Sequence, residues 1–173
     1  SLWVYTADCI PILIGDCKTG HIGAIHSGWR GLNSEIIKKT IIMLEELGSN
    51  KKDLIITLGP SISGKNYEID LNIALDILVT INNPNPNPNP IKLKSKKDLV
   101  NFRDFPDIIR ITNNHDKCLL DIRSVAEKQL NIYGINSNQI NICPYCTFSY
   151  PNLFNSWRRE SIKSFQWSGI VSR

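Results

Sequence analysis

Two stretches near the N-terminus carry side chains able to do chemistry. They are Thr6-Ala7-Asp8-Cys9-Ile10-Pro11-Ile12-Leu13 and Ala24-Ile25-His26-Ser27-Gly28-Trp29-Arg30-Gly31. Cys9 and His26 lie seventeen positions apart, each at the end of a short β-rich run and beside a turn. A hairpin between them can bring thiol and imidazole together. A Cys thiolate and a neutral imidazole are good ligands for Zn2+ or copper. The same pair can act as nucleophile and base. It can also be no more than a buried Cys and a hydrogen-bonded His, and spacing alone leaves all three readings open. Arg30 sits in a glycine-bracketed turn, and its planar fork suits a phosphate group.

A second candidate lies near the other end, Cys143-Pro144-Tyr145-Cys146. Glutaredoxin-type dithiols have this form, and their reactive thiolate depends on a helix N-terminus whose free N–H groups lower its pKa. The sequence here runs on through Thr147-Phe148-Ser149-Tyr150-Pro151, which favours strand or turn and blocks an early helix. The motif therefore fails its context test. One or both cysteines are expected to pack as small hydrophobes at a strand end.

The elements that must position these residues follow from periodicity and punctuation. Leu2 to Tyr5, Ile10 to Ile14 and His21 to His26 read as strands, with a turn over Gly15 to Gly20. Asn33 or Ser34 is expected to cap a helix carrying Ile36, Ile37, Ile41, Leu44 and Leu47, closed by Gly48. Leu54 to Leu58 reads as a buried strand and Leu71 to Thr80 as a helix. Asp121 is placed to cap a helix from Ile122 to Tyr133, stopped by Gly134, with a strand from Gln139 to Ile142 beyond it. These elements predict a mixed α/β (α+β) fold, a layered β-sandwich flanked by helices.

Residues 82–98 include Asn82-Asn83-Pro84-Asn85-Pro86-Asn87-Pro88-Asn89-Pro90 and a lysine-rich run. Alternating proline removes backbone donors and disfavours helix at each preceding residue, so an exposed loop insertion is expected. With 173 residues, 42% hydrophobic and 21% charged, the chain is long enough for one domain with a real core. No apolar run reaches the ~20 residues of a membrane-spanning helix. The +4 formal charge is scattered rather than gathered on one face with aromatics, which argues against a nucleic-acid groove. Five cysteines, an odd number, do not make a disulfide framework, and a cytoplasmic, reducing location is expected. The chain starts without Met and already in a strand, so it is expected to be part of a longer protein, and a targeting segment could precede Ser1. Oligomeric state is not readable.

Four ordered segments add a resemblance. They are Thr6 to Leu13, His26 to Gly31, Gly59-Pro60-Ser61-Ile62-Ser63 with Tyr67-Glu68-Ile69-Asp70, and Cys146-Thr147-Phe148-Ser149 with Leu153 to Arg159. Together they closely resemble the laccase-domain family, and Leu119 to Leu130 matches its helix before the last strand. The resemblance covers residues 1–173 except the Asn-Pro tract and its flanks, as one domain lacking its N-terminal part. Family members were first called multicopper polyphenol oxidoreductases and are now regarded as purine nucleoside phosphorylases with adenosine deaminase activity. Their fold resembles the catalytic domain of cytotoxic necrotizing factor.

The resemblance implies a zinc site, copper being possible, with Cys9 and His26 as ligands and a further His from a segment upstream of Ser1. On this chain the shell is then one donor short, and His21 and His115 stand outside the motif positions. It implies purine nucleoside and phosphate as substrates; for that chemistry Cys9, His26 and Arg30 are the candidate catalytic groups, and Arg30, Arg158 and Arg159, whose forks suit phosphate, the candidate substrate ligands. Asp8 is either an acid/base group or a strand-end hydrogen-bonding residue, and Tyr67 and Glu68 match a family motif. Where members commonly have cysteines before that pair, this chain has Lys65-Asn66. An oxidase of laccase type needs many His ligands, and three in all do not supply them. Two other readings stay open: a Cys9–His26 hydrolase or deamidase, and a non-catalytic binding module.

Overall fold

The computed structural model describes residues 1–82, 107–114 and 116–172. The expected Asn-Pro and lysine loop, Asn82 apart, and His115 lie outside the described residues. In chain order the elements are β1 (Leu2–Thr6), β2 (Ile10–Asp16), β3 (Ile22–Ser27), α1 (Trp29–Asn33), α2 (Ile36–Glu46), β4 (Leu54–Leu58) and β5 (Glu68–Asp70). They continue as α3 (Leu71–Asn82), β6 (Ile109–Ile111), β7 (Lys117–Leu120), α4 (Ile122–Ile132), β8 (Ile140–Ile142), α5 (Trp157–Glu160) and β9 (Gln166–Ile170). No helix among the described residues is long and apolar enough to cross a membrane.

The central sheet has the order β3-β2-β4-β8, antiparallel except for the parallel β4–β8 pair. Its strands obey the two-residue alternation of side chains. Ile10, Ile12 and Ile14 of β2 and Leu54, Ile56 and Leu58 of β4 are buried on one face, each contributing roughly 1.5–3 kcal/mol of burial free energy. Helices cover that face. Ile37, Ile41 and Leu44 of α2 and Ile122, Val125, Ala126 and Leu130 of α4 join the same core. Two smaller sheets complete the mixed α/β architecture. One has the order β5-β7-β6, and the other is a two-stranded antiparallel ribbon of β1 and β9.

The ribbon packs over the outer face of β2 and β3. In it Tyr5 pairs with Trp167 and Trp3 with Gly169. A Cβ at Gly169 would meet the Trp3 ring at 2.5 Å, so the indole lies directly over glycine backbone. Trp3 and Trp167 are 62% and 65% exposed, and with Tyr5 and Phe165 they give the ribbon an aromatic outer surface.

The expected strands and long helices form within one or two residues of their anticipated ends, with two differences. The glycine-bracketed segment is more than the tight turn expected, because Trp29–Asn33 winds into the short helix α1, with Leu32 buried and its N–H on the Gly28 carbonyl at 3.0 Å. Burying Leu32 rewards the helical turn. In consequence neither Asn33 nor Ser34 caps α2. Ser34 closes α1, its hydroxyl donating to the Gly31 carbonyl at 3.2 Å, and Glu35 takes the left-handed position before α2 at φ 53°. The hydroxyl of Tyr133, the residue after α4, donates to the Glu35 carboxylate and ties this residue to the end of that helix. Asp121 caps α4 as anticipated, accepting from the Arg123 N–H at 3.0 Å and the Ser124 N–H at 3.4 Å.

Candidate active site

The β2–β3 hairpin brings the first two candidates to one place. Its turn is tied by the Asp16 carboxylate, which accepts from the N–H groups of Lys18 and Thr19 at 2.8 and 3.1 Å. The register then sets His26 opposite Pro11 and Ser27 opposite Ile10. Cys9, one residue before β2, meets Gly28, one residue after β3, and a Cβ on Gly28 would stand only 2.5 Å from Cys9 Sγ. His26 shares the outer face with Pro11, one diagonal step from Cys9. It is exposed and lies edge-on to Tyr5 of the ribbon at 6.2 Å between ring centroids.

Burial pushes the Cys9 thiol up to about 11, the Asp8 charge adds to this, and Arg30 opposes it. An unaided Cys9 is therefore protonated at neutral pH, the reverse of a self-activated nucleophile. Tyr67, from the segment before β5, reaches the same spot. Burial raises its phenol to about 12, the Cys9 and Asp8 charges reinforce this, and Arg158 and Arg30 counter it. Arg30 Cζ lies 4.1 Å from the Trp29 ring centroid and Arg158 Cζ 5.1 Å from that of Tyr67. Arg158 also donates from Nη1 to the Glu68 carbonyl at 2.7 Å. Beside these groups lies a cavity of about 210 Å3 lined by Trp29, Tyr67, Glu68, Asp70, Lys117 and Arg158. Lys117 is paired with Asp70 at 2.7 Å.

The structure thus gathers Cys9, His26, Arg30 and Arg158 around one end of the hairpin. Arg159 has a different setting. Its guanidinium donates to the carbonyls of Thr147, Phe148 and Phe154 at 2.6, 2.8 and 2.7 Å and to Glu160, so it closes the C-terminal segment on itself. His21 sits at the far end of the hairpin, with Nδ1 at 3.2 Å from Ser49 Oγ. Among the described residues no group of three or more His, Cys, Asp or Glu side chains is placed to hold a metal ion. Cys9 and His26 are donors of the kind zinc or copper takes, and two are fewer than the three protein ligands usual at a catalytic zinc.

Residues 1–171 match a family model described as multi-copper polyphenol oxidoreductase laccase. The chain belongs to this family. It is 38% identical over 172 residues to a purine nucleoside phosphorylase of Synechocystis, an alignment covering 99% of this chain and 63% of that protein. It is 30% identical to a purine nucleoside phosphorylase of Bacteroides thetaiotaomicron, covering 98% and 56%. The crystal structure of YlmD from Geobacillus stearothermophilus superposes with a TM-score of 0.77 at 23% identity, over 96% of this chain and 54% of that one. This laccase-family chain therefore spans less than two thirds of the length of these relatives.

Cys143-Pro144-Tyr145-Cys146 directly follows β8. No helix follows it, as expected from Pro151; turns run from Thr147 to the residues before α5. Cys146 is buried, and burial alone would raise its thiol. The Ser63 and Ser149 hydroxyls, the Ser63 N–H and the Asn66 amide outweigh burial and bring it down to about 6. Two of these contacts are direct, Ser63 N–H at 3.2 Å and Asn66 Nδ2 at 3.4 Å from Sγ. The sequence pointed to the motif but not to this cradle, two of whose donors, Ser63 and Asn66, lie some eighty positions upstream. A testable pH dependence follows. An unfolded Cys titrates near 8.5, so between about pH 6 and 8.5 the unfolded chain binds more protons and stability rises with pH. The Cys146→Ala variant should lose that rise, seen by comparing denaturant midpoints of the two proteins at pH 6 and pH 8.5.

Proposed function

We propose that this chain carries the phosphate-binding and bond-cleaving site of a purine nucleoside phosphorylase, converting a purine nucleoside and phosphate to the free base and ribose 1-phosphate. Adenosine, inosine and methylthioadenosine are the substrates the family resemblance suggests. The observation that carries the reading is the convergence of two guanidinium groups. Arg30 and Arg158 each lie against an aromatic ring, and the charges of both act on Tyr67. Stacked arginines are held in place before a ligand arrives, and their forks match phosphate oxygens. A phosphate oxygen bonds to C1′ as the bond from C1′ to the purine nitrogen breaks, and the departing base must gain a proton or a hydrogen bond. Tyr67, whose phenol burial keeps protonated, is the proposed donor. The relatives named above as purine nucleoside phosphorylases support this reading.

The Cys–His hydrolase reading loses support because burial raises the Cys9 thiol. Adenosine deamination, which the family resemblance also suggests, needs an activated water at purine C6, and a metal held by Cys9 and His26 with a further donor would supply it. The test is chromatographic release of hypoxanthine from inosine with and without phosphate. Release should require phosphate and give equimolar ribose 1-phosphate. The Arg30→Ala variant should raise the phosphate KM about tenfold or more, the scale of a charged hydrogen bond. Base release at the same rate without phosphate would make the protein a hydrolase and end the proposal.

A further inference from the structure

We propose that Asp8 is a positioning residue whose carboxylate fixes Arg158 beside Cys9 and so sets where phosphate is held. The inference rests on the phosphorylase reading above and deepens it.

Asp8 gathers donors from segments far apart in the chain. Oδ1 accepts from the Thr147 hydroxyl at 2.7 Å and the Ser156 hydroxyl at 2.8 Å, and Oδ2 accepts from the Arg158 N–H at 2.7 Å. The Asp8 carbonyl also receives the Ile62 N–H at 3.0 Å. The proton inventory is determined. Ser156 Oγ already accepts from the Arg159 N–H at 3.2 Å as the cap of α5, so its single hydroxyl proton goes to Asp8. The Arg158 N–H lies in the first turn of α5, where no helical partner exists for it. Only an acceptor-only carboxylate satisfies all three donors. With both its oxygens engaged by protein, Asp8 is not arranged as an acid or base for a substrate.

Charge-assisted bonds of this length are the strong ones, and here they join the residue next to Cys9 to an arginine 150 positions away. The main chain of Arg158 thus hangs on Asp8, while its guanidinium is aimed by the Glu68 carbonyl and the Tyr67 ring. One carboxylate thus ties the chain beside Cys9 to the first turn of α5, from which the Arg158 guanidinium reaches the Tyr67 ring.

The test compares two substitutions that remove different bonds. The Asp8→Asn variant keeps an acceptor for Thr147 and Ser156 but turns an amide N–H2 toward the Arg158 N–H. Its phosphate KM, and its phosphate Kd by calorimetry, should rise about tenfold, with kcat within about threefold of wild type. The Thr147→Val variant removes one donor and leaves the Arg158 bond, so it should lower Tm without moving either phosphate constant.

Unchanged phosphate constants in Asp8→Asn would overturn the proposal. So would an equal rise in Thr147→Val, because the effect would then be general loosening. Should Asp8→Asn fail to fold, hydrogen exchange of the wild-type Arg158 amide decides, since an unprotected amide there contradicts the proposal. A wild-type protein that binds phosphate but cleaves no nucleoside would end the phosphorylase reading while the calorimetric comparison still judges Asp8. A wild type that binds no phosphate would overturn the Asp8 proposal itself.

Discussion

The Cys9→Ser variant should lose nucleoside cleavage by at least about a hundredfold, whereas Cys143→Ser should stay within about twofold of wild type. The contrast follows from what each sulfur touches. Cys9 Sγ lies against Gly28 and shares its surroundings with Asp8, Arg30 and Tyr67. A serine hydroxyl there is shorter, far harder to ionise and a poor partner for a soft cation. Cys143 works through its backbone. Its N–H donates to the Leu58 carbonyl at 2.8 Å, and its carbonyl accepts from Arg123 Nη1 at 3.4 Å. Serine keeps both bonds. Phosphate-dependent base release, measured on both variants beside wild type, checks the pair. Equal losses would return the Cys-x-x-Cys pair to consideration as a working dithiol.

The Gly28→Ala variant should reduce the same activity about tenfold or more while leaving the thermal melt within a few degrees. Gly28 has φ −93° and ψ −168°, an extended backbone that alanine adopts without strain. What alanine adds is a methyl group 2.5 Å from Cys9 Sγ, well inside the ~3.5–4.0 Å of ordinary carbon contacts. The thiol sits at the end of a single torsion, so it can rotate away at little cost to the fold. That rotation removes it from the position facing Arg30 and Tyr67, and displacements of about 1 Å at such sites can cost up to a hundredfold in rate. Full activity with an unchanged melt would mean that the position of Sγ does not matter to the chemistry. A large drop in Tm would mean that the substitution tests packing instead.

Much of the fold was legible because its signals are local. The alternation of Ile10, Ile12 and Ile14 and the capping carboxylate of Asp121 are each read within a few residues, and both appear as expected. The start of α2 was misread for a non-local reason. Ser34 has the composition of a cap, but burial of Leu32 draws the preceding residues into α1, and the Glu35 carboxylate is taken up by the hydroxyl of Tyr133, just beyond α4.

The candidate site divides in the same way. The hairpin that links Cys9 to His26 could be anticipated from its turn. The placing of Arg158 against Tyr67, and its separation in role from adjacent Arg159, could not. It depends on Asp8 receiving hydrogen bonds from residues 139, 148 and 150 positions away. The sequence offers Arg158 and Arg159 alike as substrate ligands. Only three-dimensional contacts show which guanidinium faces the cavity and which closes its own loop.

The β1–β9 ribbon has an optical consequence. Of the four tryptophans in the sequence, Trp3, Trp157 and Trp167 are 62%, 51% and 65% exposed, while Trp29 alone packs against the core. Indole emission is therefore dominated by water-facing rings even in the native state, two of them on the ribbon. Unfolding of the isoleucine-rich interior leaves those rings in much the same solvent, and Trp29, next to the Gly28 that Cys9 touches, is the tryptophan whose core packing is lost.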